Sequence, residues 1–582
     1  MTMNDSDATD LPVSSALPGA GSAADPPNRP PRHAATLVLV RDAAGPDGGI
    51  EVLLMQRAER GDHNSGAWVF PGGLTDLRDR EADAHAVGLD DAAASAQLGV
   101  PTRGLDFQLA AVRECFEEAG VLLADGPLPA AEVLADWRRL LQRGERGLGE
   151  FCAATGVRLD LGALVYLSHW VTPPIRTKRF DTRFFLARAP QGQQALHDGS
   201  ETIAHRWMRP SAALDQGAEM KLLTPTLATL RLLARHRDVA SLWAWATAPR
   251  VITQTMPVIG HGSQGTRPVT PEEYAYAELL RLDPARTGSA SYELVPGRAV
   301  RLSERVIRVT ANNGSMMTGP GTNTYLVAAP GADATNGWAV IDPGPADAAH
   351  VDAILAAAPG PIRWILATHT HHDHSPAAAL LKERTGARTH GRVADHPQWQ
   401  DASFQPDVPL AGGERIELGQ PGNGAGAGST LRVIHTPGHA SNHLCYLLEE
   451  EQLLFTGDHV MQSATVVINP PDGDMAAYLQ ALRALMEEDL HWLAPGHGFL
   501  MDDPRAAMQQ IVEHRLRREA KVLDAVRALG PATDEALLAR VYADVPPKLH
   551  PMALRSLTAH LLKLQAEGRC RRGEVGWTVE LG

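Results

Sequence analysis

Apolar positions fall in short blocks along most of this chain, and their period changes from place to place. Ala35 to Leu39 and Glu51 to Met55 are apolar runs joined by a Gly- and Asp-rich turn, which predicts two strands. Trp68-Val69-Phe70 is a third run, closed by Pro71-Gly72-Gly73. From Ala110 to Val121 the period lengthens to that of a helix. Val112, Phe116 and Ala119 then share one face, and Glu114, Glu117 and Glu118 share the opposite one. Past residue 300 strand-like runs return at Arg305 to Thr310, Trp338 to Ile341, Trp364 to Ala367, Leu431 to His435, Leu453 to Thr456 and Trp492 to Ala494. Helical spacing reappears at Ala520 to Leu529, Asp534 to Val541 and Met552 to Ala566, followed by a Gly568 to Gly573 turn into Trp577-Thr578-Val579.

Between these regions the pattern weakens. Leu242 to Ala248 reads as the end of a helix closing the first domain. Gly260 to Pro271 is Gly- and Pro-rich, which predicts a loop. Pro271 to Leu282 reads as a short helix with Thr270 as its N-cap. Residues 1–33 are rich in Ala, Asp, Ser, Gly and Pro and predict disorder, because such a segment cannot bury enough surface to offset its ordering entropy. The expected division is a disordered 1–33, a first domain at 34–249, a linker with packing elements at 250–300, a second domain at 301–519 and a small module at 520–582.

A chain of 582 residues is too long for one core. Its net charge of −14 argues against a broad nucleic-acid-binding face. Cys115, Cys152, Cys445 and Cys570 are far apart and in no paired spacing, which predicts reduced thiols. No apolar run approaches the ~20 residues needed to span a bilayer. With no targeting signal at the start, the expected place is the cytoplasm.

Chemistry concentrates in Thr368-His369-Thr370-His371-His372-Asp373-His374, just after an apolar run. Imidazole and carboxylate groups hold transition metals. A polar loop without a ligand is the plain alternative. However, three later runs also end in a turn with one such group: His439, Asp458 and His497. Sites in α/β sheets form at the carboxyl ends of strands, so these ends can converge. This ordered set resembles the metallo-β-lactamase superfamily over roughly 300–515. The resemblance implies an αββα sandwich with two metals, one held by His369, His371 and His439 and the other by Asp373, His374 and His497, with Asp458 bridging. It also implies that His372 is variable, that Asp373 orients the attacking water, and that Asp342, in Asp342-Pro343-Gly344, supports the loop. A shared water between two cations becomes a nucleophile near neutral pH, its pKa falling from about 15.7 to about 7. The ions expected are zinc, with manganese or iron as alternatives. The Asn312 to Thr324 stretch, Asp458-His459-Val460 and Glu513-His514-Arg515 resemble the group that holds endoribonucleases and glyoxalase-II-like thioesterases. His443 is expected either to donate a proton to a leaving group or to wall the pocket.

In the first domain, Glu114, Glu117 and Glu118 repel one another on one helix face, and a cation such as Mg²⁺ or Mn²⁺ relieves that. A solvated acidic face is the alternative. Gly72-Gly73 with Arg113-Glu114 and Glu117-Glu118-Ala119-Gly120 resembles the two ends of a Nudix box, over about 34–235. Ala82 to Asp106 separates the halves, and Asp79 stands where the box has a glutamate, with Asp76 nearby. His169 to Pro173, Arg179 to Phe185 and Glu201 to Trp207 resemble the coenzyme A diphosphatase subgroup. The resemblance implies an α/β/α sandwich that cleaves a diphosphate linked to a nucleoside-like moiety. Glu114, Glu117 and Glu118 would hold the metal, and Arg113 would brace them.

The carboxyl-terminal module resembles a winged helix. Arg555, Lys563, Arg569, Arg571 and Arg572 are expected either to meet phosphates or to lie on a module packed against the metal-site mouth. The fold expected is therefore an α/β and α+β multidomain chain of two metal-dependent hydrolases and a small tail. Its expected substrates are a nucleotide or coenzyme A-type molecule and, for the second half, an ester, thioester or phosphodiester such as single-stranded RNA. The alternative is that the Nudix half is a nucleotide-sensing or scaffold module for one active domain.

Overall fold

The computed structural model describes residues 30–45, 48–59, 64–216, 219–330, 337–419, 428–462 and 465–580. Residues 1–29 of the segment expected to be disordered lie outside that set, while Arg32 and His33 open the first strand. The described chain forms two compact units. One runs to Ile259 and takes in Ala285–Thr287, and the other takes Gly260–Pro284 and everything from Gly288.

The first unit is built on Arg32–Asp42, a strand buried on both sides. Leu37 and Leu39 face one apolar cluster, while Val38 and Val40 face the other. That is the two-residue period of a strand between two layers. Phe180–Arg188 pairs with it in parallel, and Ile50–Arg57 and Gly72–Leu74 pair antiparallel. One layer holds the helix Leu105–Ala119, which ends at Gly120 with φ 68°. The other holds Thr224–Leu233 and Val239–Thr247. The insertion between the box halves is ordered: a 3-10 helix, Leu77–His85, is followed by the helix Asp91–Leu98.

In the second unit two sheets face each other. The first runs in chain order from Ala299–Arg301 to Val408–Pro409, and the second from Arg415–Leu418 to Trp492–Pro495. Tyr325, Val327, Leu431, Tyr446 and Phe455 fill the space between them. Ile307, Val309 and Leu326, one register away, point outward under the helices Ala348–Ala357 and Ala377–Thr385. The outer face of the second sheet is covered by Met475–Leu485 and Pro504–Leu529. This αββα arrangement aims the ends of Trp338–Ile341, Ile362–Leu366, Ser429–His435, Leu453–Gly457 and Trp492–Pro495 toward one rim.

Two expectations for 250–300 are corrected. Gly260–Pro271 is not a loop, because Val258–Gly262 and Gly265–Val269 form a two-stranded sheet. The helix covers only Tyr276–Leu282, with Ala275 at its N-cap position. Glu273 accepts from the Thr270 backbone N–H at 3.0 Å and holds 270–273 as a turn, so Thr270 does not cap the helix.

At the end of the chain, Pro504–Leu529 is one continuous helix of 26 residues. It packs with Asp534–Val541, His550–Ala566 and the hairpin Cys570–Arg572/Trp577–Val579 around Leu557, Leu561 and Trp577. All four cysteines are buried and free. No helix among the described residues is long and apolar enough to cross a membrane.

Candidate metal centres

Asp342 organises the histidine loop. It follows its strand with φ 52°, a conformation that turns its carboxylate back toward the next strand. One oxygen accepts from the Thr368 N–H at 2.7 Å, and the other from the Thr368 hydroxyl and from His374 Nδ1, both at 2.8 Å. His369 Nδ1 in turn lies 3.1 Å from the Thr368 hydroxyl. His439 Nδ1 donates to the Val467 carbonyl at 2.6 Å and His497 Nδ1 to the Gly321 carbonyl at 3.2 Å. One ring nitrogen of each of these histidines is thus occupied, which fixes the tautomer and turns the other nitrogen inward.

The inward atoms form two groups. His369, His371 and His439 make one, and Asp373, His374, Asp458 and His497 the other, with the ligand atoms of each group all within 4.8 Å of one another. In the first, His371 Nδ1 lies 2.9 Å from His369 Nε2 and 3.0 Å from His439 Nε2. Burial and the neighbouring imidazoles hold His369 well below the usual histidine range, and they hold His371 at about 3. These are neutral imidazoles with lone pairs facing one another, the form that binds a cation. In the second group, His374 Nε2, His497 Nε2 and Asp458 Oδ1 are buried and make no hydrogen bond. Asp458 Oδ1 is 3.3 Å from His374 Nε2 and 3.2 Å from His497 Nε2, while its Oδ2 is 3.7 Å from His439 Nε2, so it reaches both groups. Burial works against charge on His374, yet Asp373, Asp458 and Asp342 raise its pKa well above the usual value. The same balance lifts His497 to about 9. The carboxylates therefore demand positive charge at this point, and a divalent ion meets that demand. Gly496 has to be glycine for the two groups to close, since a Cβ there would lie 2.9 Å from both Asp458 Oδ1 and the His374 ring.

His372, expected to stand apart, is exposed. His443 is wholly buried, its Nδ1 2.9 Å from the Thr436 hydroxyl and its ring 5.1 Å from that of His369. The sequence reading did not identify Asn323 and Tyr325 as supports. Asn323 Nδ2 donates to the carbonyls of Pro495 and Gly498 at 3.0 and 2.8 Å, and the Tyr325 hydroxyl donates to Pro495 at 2.8 Å. Nor did it give a role to Arg515, which donates to the Val466 carbonyl, one residue from the carbonyl that orients His439. Asn323 lies inside the stretch already singled out, but its partners are 172 and 175 residues away and no local pattern reveals them.

In the first unit, Arg113 is the hub. Its Nε donates to both oxygens of Asp79 at 3.0 Å, its Nη1 to Glu114 at 2.8 Å and Glu117 at 3.2 Å, and its Nη2 to the Leu74 carbonyl at 2.7 Å. Asp79, short as it is, reaches Arg113 because Asp76 caps the 3-10 helix that carries it. Glu118 is buried and accepts from the Gly72 N–H at 3.1 Å. A Cβ on Gly73 would come within 2.2 Å of the Glu114 carboxylate, so only glycine fits. Burial raises Glu114 to about 7 against the pull of Arg113, and raises Glu118 well above the usual range with Glu114 adding to it. Glu201, unassigned by the sequence reading, adds its negative charge to the field at all three glutamates. The solvated acidic face is excluded. Glu114, Glu117 and Glu118 do not close into a group as tight as the two histidine-bearing ones, because Arg113 lies between the first two. Elsewhere in this unit, His169 and Arg183 both meet one oxygen of Asp181.

The basic residues of the tail are largely spent on its own carboxylates. Lys563 and Arg569 bond Glu519 and Glu567, and Arg572 bonds Asp534. Arg555 lies over the Trp399 ring, 5.2 Å from its centre. Trp399 precedes Gln400, which bridges to His371.

Comparison with known proteins agrees with this architecture. Residues 317–497 match the metallo-beta-lactamase superfamily, 90–228 the NUDT19 Nudix domain and 533–577 the beta-lactamase associated winged helix domain. An atrochrysone carboxyl ACP thioesterase of Aspergillus chevalieri is 32% identical over 278 residues, which are 46% of this chain and 83% of that protein. The beta-lactamase-like protein 2 homolog of Drosophila melanogaster is 29% identical over 291 residues, 48% of this chain and 93% of that one. A crystal structure of a Nudix hydrolase from Alicyclobacillus acidocaldarius aligns at 32% identity with a TM-score of 0.31, over 36% of this chain and 94% of its own. The chain belongs to the metallo-β-lactamase superfamily, carries a Nudix domain ahead of that fold and a winged-helix domain behind it, and is a metal-dependent hydrolase.

Proposed function

We propose that the chain carries two hydrolytic sites, one for a thioester and one for a diphosphate. In the second unit His369, His371 and His439 would hold one ion and Asp373, His374 and His497 the other, with Asp458 offering an oxygen to each. The donor set of imidazole and carboxylate suits zinc. The ions supply Lewis acidity and activate water when bound. Asp373 orients that water, and His443 keeps solvent from reaching the ligands from behind. The observation that carries this reading is Asp458, whose two oxygens lie within 3.7 Å of His374, His497 and His439. A thioester is favoured over RNA on two grounds. The relative at 32% identity is named as an ACP thioesterase, and Lys563, Arg569 and Arg572 already bond carboxylates of their own module. Zinc-loaded protein offered S-acyl glutathione and single-stranded RNA separates the two. Turnover of the thioester, lost on Asp458→Asn together with bound zinc, is expected. Cleavage of RNA alone overturns the thioester assignment.

In the first unit we assign Glu114, Glu117 and Glu118 to Mg²⁺ or Mn²⁺ and Arg113 to bracing them, for cleavage of a diphosphate in a nucleotide or coenzyme A-type molecule. Glu118→Gln is expected to cut that turnover at least 100-fold and leave thioester turnover unchanged. Unaltered diphosphate cleavage in that variant makes the Nudix half a sensing or scaffold module instead.

A further inference from the structure

A buried polar network joins the loops that carry the first histidine group. Thr370 lies between His369 and His371 in the chain. Its hydroxyl donates to Gln400 Oε1 at 2.6 Å and accepts from Asn442 Nδ2 at 2.7 Å. Its carbonyl accepts from the Asp401 N–H at 2.6 Å, and Gln400 pairs with His371 as an isolated backbone bridge. Gln400 Nε2 donates to Asp472 at 2.9 Å. The same carboxylate accepts from the Ser441 hydroxyl at 2.5 Å and from the Ser441 N–H at 3.2 Å, just past His439. Thr370, Gln400, Asn442 and Asp472 are all buried. Gln400 and Asp472 therefore tie the His369–His371 loop to the His439 loop, and the spacing of three ligands depends on that tie.

The outer end of the network meets the tail. The Gln400 N–H donates to the Pro397 carbonyl at 3.2 Å and closes a turn in which Trp399 has φ 71°. That is left-handed backbone, which turns ordinarily give to glycine or asparagine and which a bulky side chain rarely takes. The ring is 52% exposed, so its own burial does not account for a tryptophan here. What the ring meets is Arg555, on the helix His550–Ala566, 5.2 Å from its centre and within cation–π range. Arg555 makes no hydrogen bond or ion pair among the described residues, unlike Lys563, Arg569 and Arg572.

We propose that Arg555 and Trp399 are positioning residues for the ion that His369, His371 and His439 would hold. The tail helix fixes the ring, the ring fixes the turn, and the turn keeps Gln400 against Thr370 and Asp472. The inference rests on the two-ion reading of the second unit. It does not extend to His497, which takes its orientation from the Gly321 carbonyl instead.

The test loads the full-length protein with zinc in excess Mg²⁺ and follows zinc release to a coloured chelator by stopped flow. Two phases are expected, and the one missing from His439→Ala belongs to the first histidine group. Arg555→Ala and Trp399→Gly should each speed that phase about threefold, the worth of one cation–π contact, and leave the other phase unchanged. Trp399→Gly suits the backbone of the turn, so a faster phase there reports the lost ring and not strain. Gln400→Ala removes the Thr370 contact directly and should speed the same phase about tenfold. Arg555→Lys keeps a cation over the ring and should restore the unaltered rate. Variants that change both phases equally, or neither, overturn the proposal while the two-ion reading stands. A single phase in the unaltered protein removes the two-ion reading and this inference with it.

Discussion

Glu278 and Arg308 face each other as a two-pronged ion pair, with Oε2 2.6 Å and Oε1 2.8 Å from the guanidinium nitrogens, and both side chains are almost wholly enclosed. Glu278 also accepts from the Leu500 N–H at 2.8 Å. The pair ties the short helix Tyr276–Leu282 to the strand Val306–Thr310 and to the turn beyond His497. Removing one partner strands a buried charge, which costs about 3–5 kcal/mol. Glu278→Ala is therefore expected to lower the second unit's unfolding midpoint sharply. The double variant Glu278→Leu/Arg308→Met should recover most of the loss. Denaturant unfolding followed by hydrogen exchange at the amides of the Val306–Thr310 strand measures both, and a double variant as unstable as the single one contradicts the account.

Asp342 holds both Thr368 and His374. Removal of such an outer partner typically weakens metal binding about 10–100-fold. Asp342→Ala should retain less zinc than the unaltered protein after dialysis against a weak chelator. Full retention would show that the loop holds its shape without this carboxylate.

Asp79 is 1% exposed and takes both of its hydrogen bonds from Arg113. Asp79→Ala leaves the Arg113 Nε–H without an acceptor, while Glu114, Glu117 and the Leu74 carbonyl still hold the other nitrogens, at a cost of about 1–3 kcal/mol. Asp79→Asn keeps an acceptor and should cost less. Thermal unfolding ranks the two, and an alanine variant no worse than the asparagine one refutes the bracing role.

His350 is buried against the Thr324 hydroxyl, 2.8 Å from its Nε2. Burial lowers its pKa from 6.5 to about 4. In the unfolded chain the same ring titrates near 6.5, so between pH 6.5 and 4 the unfolded state binds more protons. The stability this neutral ring contributes is complete above pH 6.5 and is lost as pH falls through 4, to a limit of about 3 kcal/mol. His350→Gln should flatten the pH dependence of unfolding across that window. An identical slope in both proteins places the titration elsewhere.

The histidine loop and the later turns were legible because each ligand follows a run whose apolar period already marks a strand. The Glu114–Glu118 face was legible for the same reason, since helical period alone puts those carboxylates together. The Gly260–Leu282 region differs for the opposite reason. Its Gly and Pro content signals loop locally, yet Arg308, Leu500 and the packing of Leu279 at 0% exposure decide its shape.

By itself the sequence determined most of the order of the elements and which side-chain types stand at the strand ends and on the Glu114–Glu118 helix face, because period and residue type are local properties. Only the tertiary structure decided which oxygen of Asp458 reaches which histidine, that Asp79 serves Arg113, and that Lys563 and Arg569 are committed to Glu519. Those outcomes depend on distances of a few ångströms between residues tens to hundreds of positions apart. Such distances are set by how the layers pack, which no local stretch of sequence encodes.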